Sequence, residues 1–396
     1  MVDFSWMYTG PIVTKFLAEY GAEVIKVESA SRPDDTRGFT PFKNNTPGVN
    51  RSTFFANYNS GKFGITLNLN HPKGIEIAKR LIARADIVLE TFRPGTLAKK
   101  GLGYDRLVEV KPNIIMVSHT MQGQHGPFVQ QPTLGAFFQS VVGFTELVGW
   151  SDRTPALPPT PYPDYISPWF TLVGILAALD YRRRTGKGLY IDISQLESSL
   201  HFLTPAILDQ VVNGRTAKRN GNRSNRAAPH GAYRCKGEDR WCVISVFTGD
   251  EWKAFCETIG SLPWTKDPKF STVLGRKQNE EELDSLVEQW TIGHSAEEVM
   301  SMMQAVGVPA GIVQNGEDLV DRDLQLRYRG HTQLPDHPEF GIYPSEVAPF
   351  RLSETPSKLT IPAPCLGEHN EYVCREILGM TDDEFLEFVA SGVFDE

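Results

Sequence analysis

A chain of 396 residues is too long for one small core and calls for one large domain with a smaller one, or for two interleaved lobes. Its 40% hydrophobic and 22% charged content is that of an ordinary globular protein, and a net charge of -8 argues against nucleic acid as the main partner, which would need a clustered basic excess. Five cysteines, an odd number without a C-x-x-C pair, indicate neither a disulfide framework nor a zinc site, so free thiols in a reducing cytoplasm are expected.

Neither an uninterrupted apolar run of about 18 residues nor a basic-then-apolar leader occurs, so no membrane span and no secretion signal are expected. Residues 10–21 carry Pro11 just inside the start, apolar side chains at Ile12, Val13, Phe16 and Leu17, and Gly21 at the end, which predicts a helix with its stop signal. A short strand at 23–28 and a loop at 31–38 follow. The pattern repeats as strand 63–69, helix 72–85 and strand 86–90; after Phe92-Arg-Pro-Gly95 and a short helical piece comes an apolar strand at 113–118. Strands alternating with helices predict an α/β fold with a parallel sheet buried on both faces.

Helices are predicted at 133–148, 166–184 and 195–212, the last preceded by an alternating strand at 189–194. The polar, basic stretch 213–228 reads as a linker between a large α/β domain, 1–212, and a smaller α+β domain, 229–335. The smaller domain opens with a hairpin of 231–235 and 240–246, continues with helices near 250–259, 280–290 and 296–306, and returns in a strand at 308–314. The remaining segment, 336–396, is proline-rich and extended, closes with two helices, and is expected to return to the large domain.

No G-x-G-x-x-G follows the first strand, and no Walker loop, H-E-x-x-H, metal-spaced His/Cys set or G-x-S-x-G elbow occurs, so no metal site is assigned. The nine histidines, His119 among them, are scattered and read as surface or satisfied core residues. Arg37, Lys62 and Arg93 each lie in a loop adjoining a strand end, where open sheets hold phosphates, and together they favour an anionic, nucleotide-like ligand. Asp164 stands among Pro161, Tyr162, Pro163 and Tyr165 at the head of an apolar helix; by spacing alone it is either a helix cap or a chemical group.

The runs Asp3-Phe-Ser-Trp-Met-Tyr-Thr-Gly-Pro11 and Leu17-Ala-Glu-Tyr-Gly-Ala-Glu-Val-Ile-Lys-Val-Glu28 resemble the opening of the family III coenzyme A transferases. That group includes formyl-CoA:oxalate and crotonobetaine-carnitine CoA transferases and 2-methylacyl-CoA racemase. Asn59-Ser-Gly-Lys62, Phe92-Arg-Pro-Gly95, Leu102-Gly-Tyr-Asp105, Thr185-Gly-Lys-Gly188, Pro229-His-Gly-Ala-Tyr233, Ala305-Val-Gly-Val-Pro309 and Leu366-Gly-Glu-His369 continue the resemblance in family order. It implies a Rossmann-like large domain, a small domain, and two subunits threaded through each other as interlocked rings. It also implies coenzyme A as substrate, with no permanently bound cofactor, and acyl-CoA and carboxylic acids as the small-molecule partners.

By the same resemblance Arg37 contacts the adenine nucleotide end, Phe92 and Arg93 lie beneath it, and Asp164 is the carboxylate that attacks the thioester. The racemase branch has a His-Asp pair where this chain has Ala136 and Phe137, so transferase is favoured over racemase or epimerase. A non-catalytic CoA-binding subunit of a heteromer is the third reading. Tyr8 stands where the formyl-CoA:oxalate enzymes carry a glutamine near the acyl group; with Phe137, Phe138, Trp150 and Trp169 it suggests a bulky or aryl-substituted succinate as acceptor and succinyl-CoA as donor.

Overall fold

The computed structural model describes residues 1–394, which form two compact units. Met1–Thr145, Leu157–Thr216 and the chain from Arg327 onward make the larger; Glu146–Ala156 and Ala217–Leu326 make the smaller. In the larger unit β1 (Val2–Asp3), β2 (Ile25–Glu28), β3 (Phe63–Thr66), β4 (Ile87–Glu90), β5 (Ile115–Thr120) and β6 (Leu189–Ser194) form a parallel sheet. Their order is β3-β2-β1-β4-β5-β6, with Val2 registered against both Ile25 and Val88.

Between the strands run α1 (Thr9–Glu19), α2 (Thr53–Asn59), α3 (Pro72–Arg84), α4 (Thr96–Lys99), α5 (Tyr104–Val110), α6 (Gly135–Val142), α7 (Phe144–Leu147) and α8 (Tyr162–Thr185). After β6 come α9 (Gln195–Leu200) and α10 (Thr204–Asn213). The strands bury both faces because their side chains alternate. Ile87, Leu89, Ile115 and Val117 pack with Val13 of α1 and Leu172 and Ile175 of α8. Val88 and Met116 point the other way, onto Ile77 and Leu81 of α3 and Leu107 of α5.

This winding reverses direction between β1 and β4, and a ligand crevice forms outside the carboxyl ends of strands at such a reversal. Two turns meet there. The turn after β1 holds Met7 at a φ of 67°, a conformation that costs a non-glycine residue about 1–3 kcal/mol. The Trp6 backbone N–H donates to the Thr91 hydroxyl of the turn after β4 at 3.0 Å, locking the two turns together.

The edge strand β3 is closed by the C-terminal segment. Gly64 N–H donates to His369 Nδ1 at 3.1 Å, Thr66 N–H to Asn370 Oδ1 at 2.8 Å, and the Thr66 hydroxyl to the Phe394 carbonyl at 2.8 Å. These bonds satisfy an edge that would otherwise pair with another chain.

The smaller unit contains an antiparallel sheet of β7 (His230–Arg234), β8 (Trp241–Ser245) and β9 (Ala310–Ile312). It packs with α11 (Gly249–Thr258), α12 (Val273–Gln278), α13 (Glu280–Thr291) and α14 (Ala296–Ala305) around Phe255, Phe270, Leu283 and Met303. Residues 146–156, read from the sequence as part of the large domain, belong to this unit. The predicted helix 133–148 breaks at Gly143, whose φ of 107° ends α6, and Gly149 then accepts a backbone bond from Gly221 at 2.9 Å. Among the described residues no helix is long and apolar enough to cross a membrane.

Candidate active site

The crevice is a cavity of about 330 Å³, walled by the turns after β1, β4 and β5 and by Thr133, Leu134 and Gly135. Asp164 lines it and is only 7% exposed. The sequence pattern puts the start of its helix at Ile166; the structure starts α8 at Tyr162, with Pro161 as N-cap and no side-chain cap bond. Prolines that read as breakers fit the first turn, where the missing N–H costs nothing. Asp164 is therefore inside the first turn and does not cap it. Pro168, four residues on, brings no N–H to the Asp164 carbonyl, so the helical ladder is interrupted at this residue.

The two carboxylate oxygens have different surroundings. Gln195, first residue of α9, donates from Nε2 to Oδ1 at 2.9 Å. Oδ2 faces Gly135 at the start of α6, so closely that a Cβ at that position would collide with it. Burial raises the carboxyl from 3.8 to about 6, against the lowering effect of the Gln195 bond. The amino end of a 24-residue helix favours the anion by about 0.3–1 kcal/mol, which is too little to offset burial. The result is a partly desolvated carboxylate, ionised near neutrality, at the wall of the cavity.

The other expected site residues separate into three groups. Tyr8, Phe92 and Arg93 line the same cavity as Asp164. The rings of Tyr8 and Tyr165 lie 5.8 Å apart, and those of Trp6 and Phe92 5.8 Å apart, so the apolar wall comes from the turns rather than from Tyr162 or Trp169. Phe137 is 60% exposed and does not line the cavity, nor do Phe138, Trp150 or Trp169. Of the aromatic residues that suggested a bulky acceptor, only Tyr8 thus stands in the wall that the described residues supply.

Arg37 and Lys62 lie inside the fold. Arg37 makes a bidentate pair with Glu28, at 2.9 and 2.7 Å, and its guanidinium lies 3.7 Å from the Phe55 ring. Lys62 is fully buried, donating to Asn59 Oδ1 at 2.8 Å and the Pro11 carbonyl at 3.1 Å, with Asp3 at 3.4 Å. Burial lowers its ammonium to about 7, although Asp3 opposes the shift. Both cations are committed to anchoring β1 and β2, and Lys62 has no open face for a phosphate.

Three polar contributors escaped the sequence reading. Arg32, in the same loop as Arg37, is exposed, lies 5.4 Å from the Trp6 ring and lines the cavity near Arg93. His119, read as a bland residue, is 1% exposed and lines the cavity; its Nδ1 meets the Thr171 hydroxyl at 3.0 Å while Nε2 has no partner among the described residues. Burial drops its imidazole to about 3, so the ring is neutral. Gln195 is the third. A glutamine opening a helix carries no sequence signal of its own, since its contact with Asp164 spans 31 positions.

A crevice at the strand reversal lined by a buried carboxylate is the arrangement of an α/β enzyme that binds its ligand at the carboxyl ends of its strands. Residues 1–370 match the model of CoA-transferase family III, and the chain belongs to that family. It is 31% identical to succinyl-CoA–D-citramalate CoA-transferase of Chloroflexus aurantiacus, over 97% of this chain and 94% of that protein. To succinyl-CoA:glutarate CoA-transferase of Mus musculus it is 30% identical, over 100% of this chain and 89% of the relative. A crystal structure of a CAIB/BAIF family protein from Brucella suis superposes with a TM-score of 0.87 at 29% identity, covering 95% and 97% of the two chains. The chain is thus a CoA transferase, an enzyme that moves coenzyme A between an acyl-CoA and an acid.

Proposed function

We propose that this transferase works by covalent catalysis on Asp164, with succinyl-CoA as donor and a dicarboxylic acid, such as a substituted succinate, as acceptor. The observation that carries the reading is the buried Asp164 carboxylate at the cavity wall, with Oδ1 held by Gln195 and Oδ2 bound by no donor among the described residues. Oδ2 attacks the thioester carbonyl, the C–S bond breaks, and CoA thiolate and a mixed anhydride result. The thiolate then attacks Cγ and the donor acid departs with Oδ2, leaving an aspartyl-CoA thioester. The acceptor carboxylate reverses both steps. Exclusion of water by Trp6, Tyr8 and Phe92 protects the anhydride.

Coenzyme A is substrate here, not a resident cofactor. A second depression of about 280 Å³ shares Trp6, Arg32 and Phe92 with the first and continues over the ends of β2 and β3. This shape favours an extended ligand, its acyl end at Asp164 and its phosphates near Arg32 and Arg93, with Arg37 supporting the nucleotide end from below. A dicarboxylic acceptor is supported by the relatives, whose names specify citramalate and glutarate, and by the polar His119 and Thr120 in the wall.

The resemblance to interlocked dimers gains support from apolar faces that this chain leaves bare. Val173 and Leu176 of α8 and Leu208, Val211 and Val212 of α10 are all more than half exposed. A second copy of the chain covers them in this reading. A related Chloroflexus protein is a β subunit of a succinyl-CoA–L-malate transferase, which keeps a homologous partner as the heteromeric alternative. The free cysteines suit a reducing, cytoplasmic setting.

The test incubates the enzyme with succinyl-CoA and a panel of dicarboxylic acids, traps with hydroxylamine and maps the adduct. A modified Asp164 and acceptor-dependent turnover are expected, both lost in Asp164→Asn. Undiminished exchange in that variant would overturn covalent catalysis; label from solvent deuterium at the α-carbon without acceptor would indicate an epimerase instead.

A further inference from the structure

Gln195 touches the one oxygen of Asp164 that the chemistry never replaces. Through both halves of the exchange the bridging oxygen of the anhydride is lost with one acid and regained from the other. Oδ1 stays on Cγ throughout. It is the carbonyl oxygen of the anhydride and of the aspartyl-CoA thioester, and twice per turnover it takes a full negative charge, when thiolate and then acceptor carboxylate attack Cγ.

Nε2 of Gln195 already stands 2.9 Å from that atom, inside the 2.7–3.1 Å range of an oxyanion donor. Its other end argues against a purely structural role. Oε1 is buried without a partner among the described residues, an arrangement that costs about 1–3 kcal/mol where an apolar side chain would cost nothing. The amide orientation is set by the carboxylate alone, because only the N–H end can face an anion. Oδ2 accepts no hydrogen bond among the described residues and lies on the opposite side, against Gly135, which has no Cβ to collide with it. The two oxygens are thus sorted before substrate arrives, one to attack and one to hold charge.

We propose that Gln195 is a catalytic residue whose side-chain amide stabilises the oxyanion on Asp164 Oδ1 whenever the aspartyl carbonyl is the electrophile. This rests on the reading of Asp164 as nucleophile. It makes a divided prediction, because the first attack places the oxyanion on the acyl carbonyl, out of reach of Gln195, and only the second places it on Oδ1.

The experiment mixes Gln195→Leu, and Gln195→Met as a closer isostere, rapidly with succinyl-CoA alone. After quenching, intact mass and hydroxylamine trapping separate acyl-enzyme anhydride from aspartyl-CoA thioester. The anhydride is expected to form at the rate of the unsubstituted enzyme in both variants, while the thioester forms 100- to 1000-fold more slowly. An equal slowing of both steps would reduce Gln195 to a residue that positions Asp164, and unslowed thioester formation would remove it from the mechanism. If the unsubstituted enzyme shows no adduct on Asp164, the underlying nucleophile reading fails first.

Discussion

Asp164 carries a conflict between burial and charge that stability measurements can read. Burial places its folded-state pKa at about 6 against 3.8 unperturbed, so the folded protein binds that proton more tightly than the unfolded chain. Stability from this group is full below about 4 and is lost as pH rises through about 6. Asp164→Asn keeps an acceptor for Gln195 without the charge, and should be more stable than the unsubstituted enzyme at pH 7 by on the order of 1–3 kcal/mol. The gain should vanish near pH 4; melting temperatures that differ equally at both pH values would refute the assignment. If Asp164 is the nucleophile, turnover of the unsubstituted enzyme should fall as pH drops through about 6, where its carboxylate protonates. The residue type and its proline and aromatic setting marked Asp164 in the sequence. Gln195 and His119 were illegible because their contacts, with Asp164 and Thr171, are made with residues 31 and 52 positions away and not with neighbours in the chain.

Elements fix where those residues stand. The strand and helix periodicity of β2 to β5 and of α1 and α3 was readable because both faces of a parallel sheet demand it. The start of α8 was misread because Pro161, Pro163 and Pro168 look like breakers, although two of them fit a helix start. Basic loops near strand ends are ambiguous in sequence for a related reason. A cation beside a strand reads as a phosphate ligand until its partner is known, and for Arg37 and Lys62 the partners are Glu28 and Asp3. Arg32 and Arg93, which line the cavity, have no ion pair among the described residues. The packing of α6 on α8 at Gly135 offers a steric test. Gly135→Ala should leave the fold and CoA binding intact while cutting turnover at least tenfold, since the methyl group overlaps Oδ2 and forces the Asp164 carboxylate to shift. Steady-state kinetics with unchanged circular dichroism checks this, and normal turnover would show that the acyl group enters elsewhere.

At the scale of the whole molecule, the two units and the C-terminal return were approached from composition, and the dimer only through resemblance. Subunit association leaves no period in a sequence; it shows as apolar side chains without neighbours, which need coordinates to see. If a second copy covers α8 and α10, Val173→Glu together with Val211→Glu should convert a dimer of twice the chain mass into monomer or insoluble protein, read by light scattering after gel filtration. A monomeric unsubstituted enzyme would remove the interlocked reading.

The bonds that close β3 also set an order of events during synthesis. The strand itself is made some 300 residues before the His369, Asn370 and Phe394 partners of its edge. The smaller unit, contiguous over Ala217–Leu326 apart from one short excursion, can begin to fold while the larger waits. Until those partners arrive the nascent sheet carries a bare strand edge, the kind of surface that pairs with other chains.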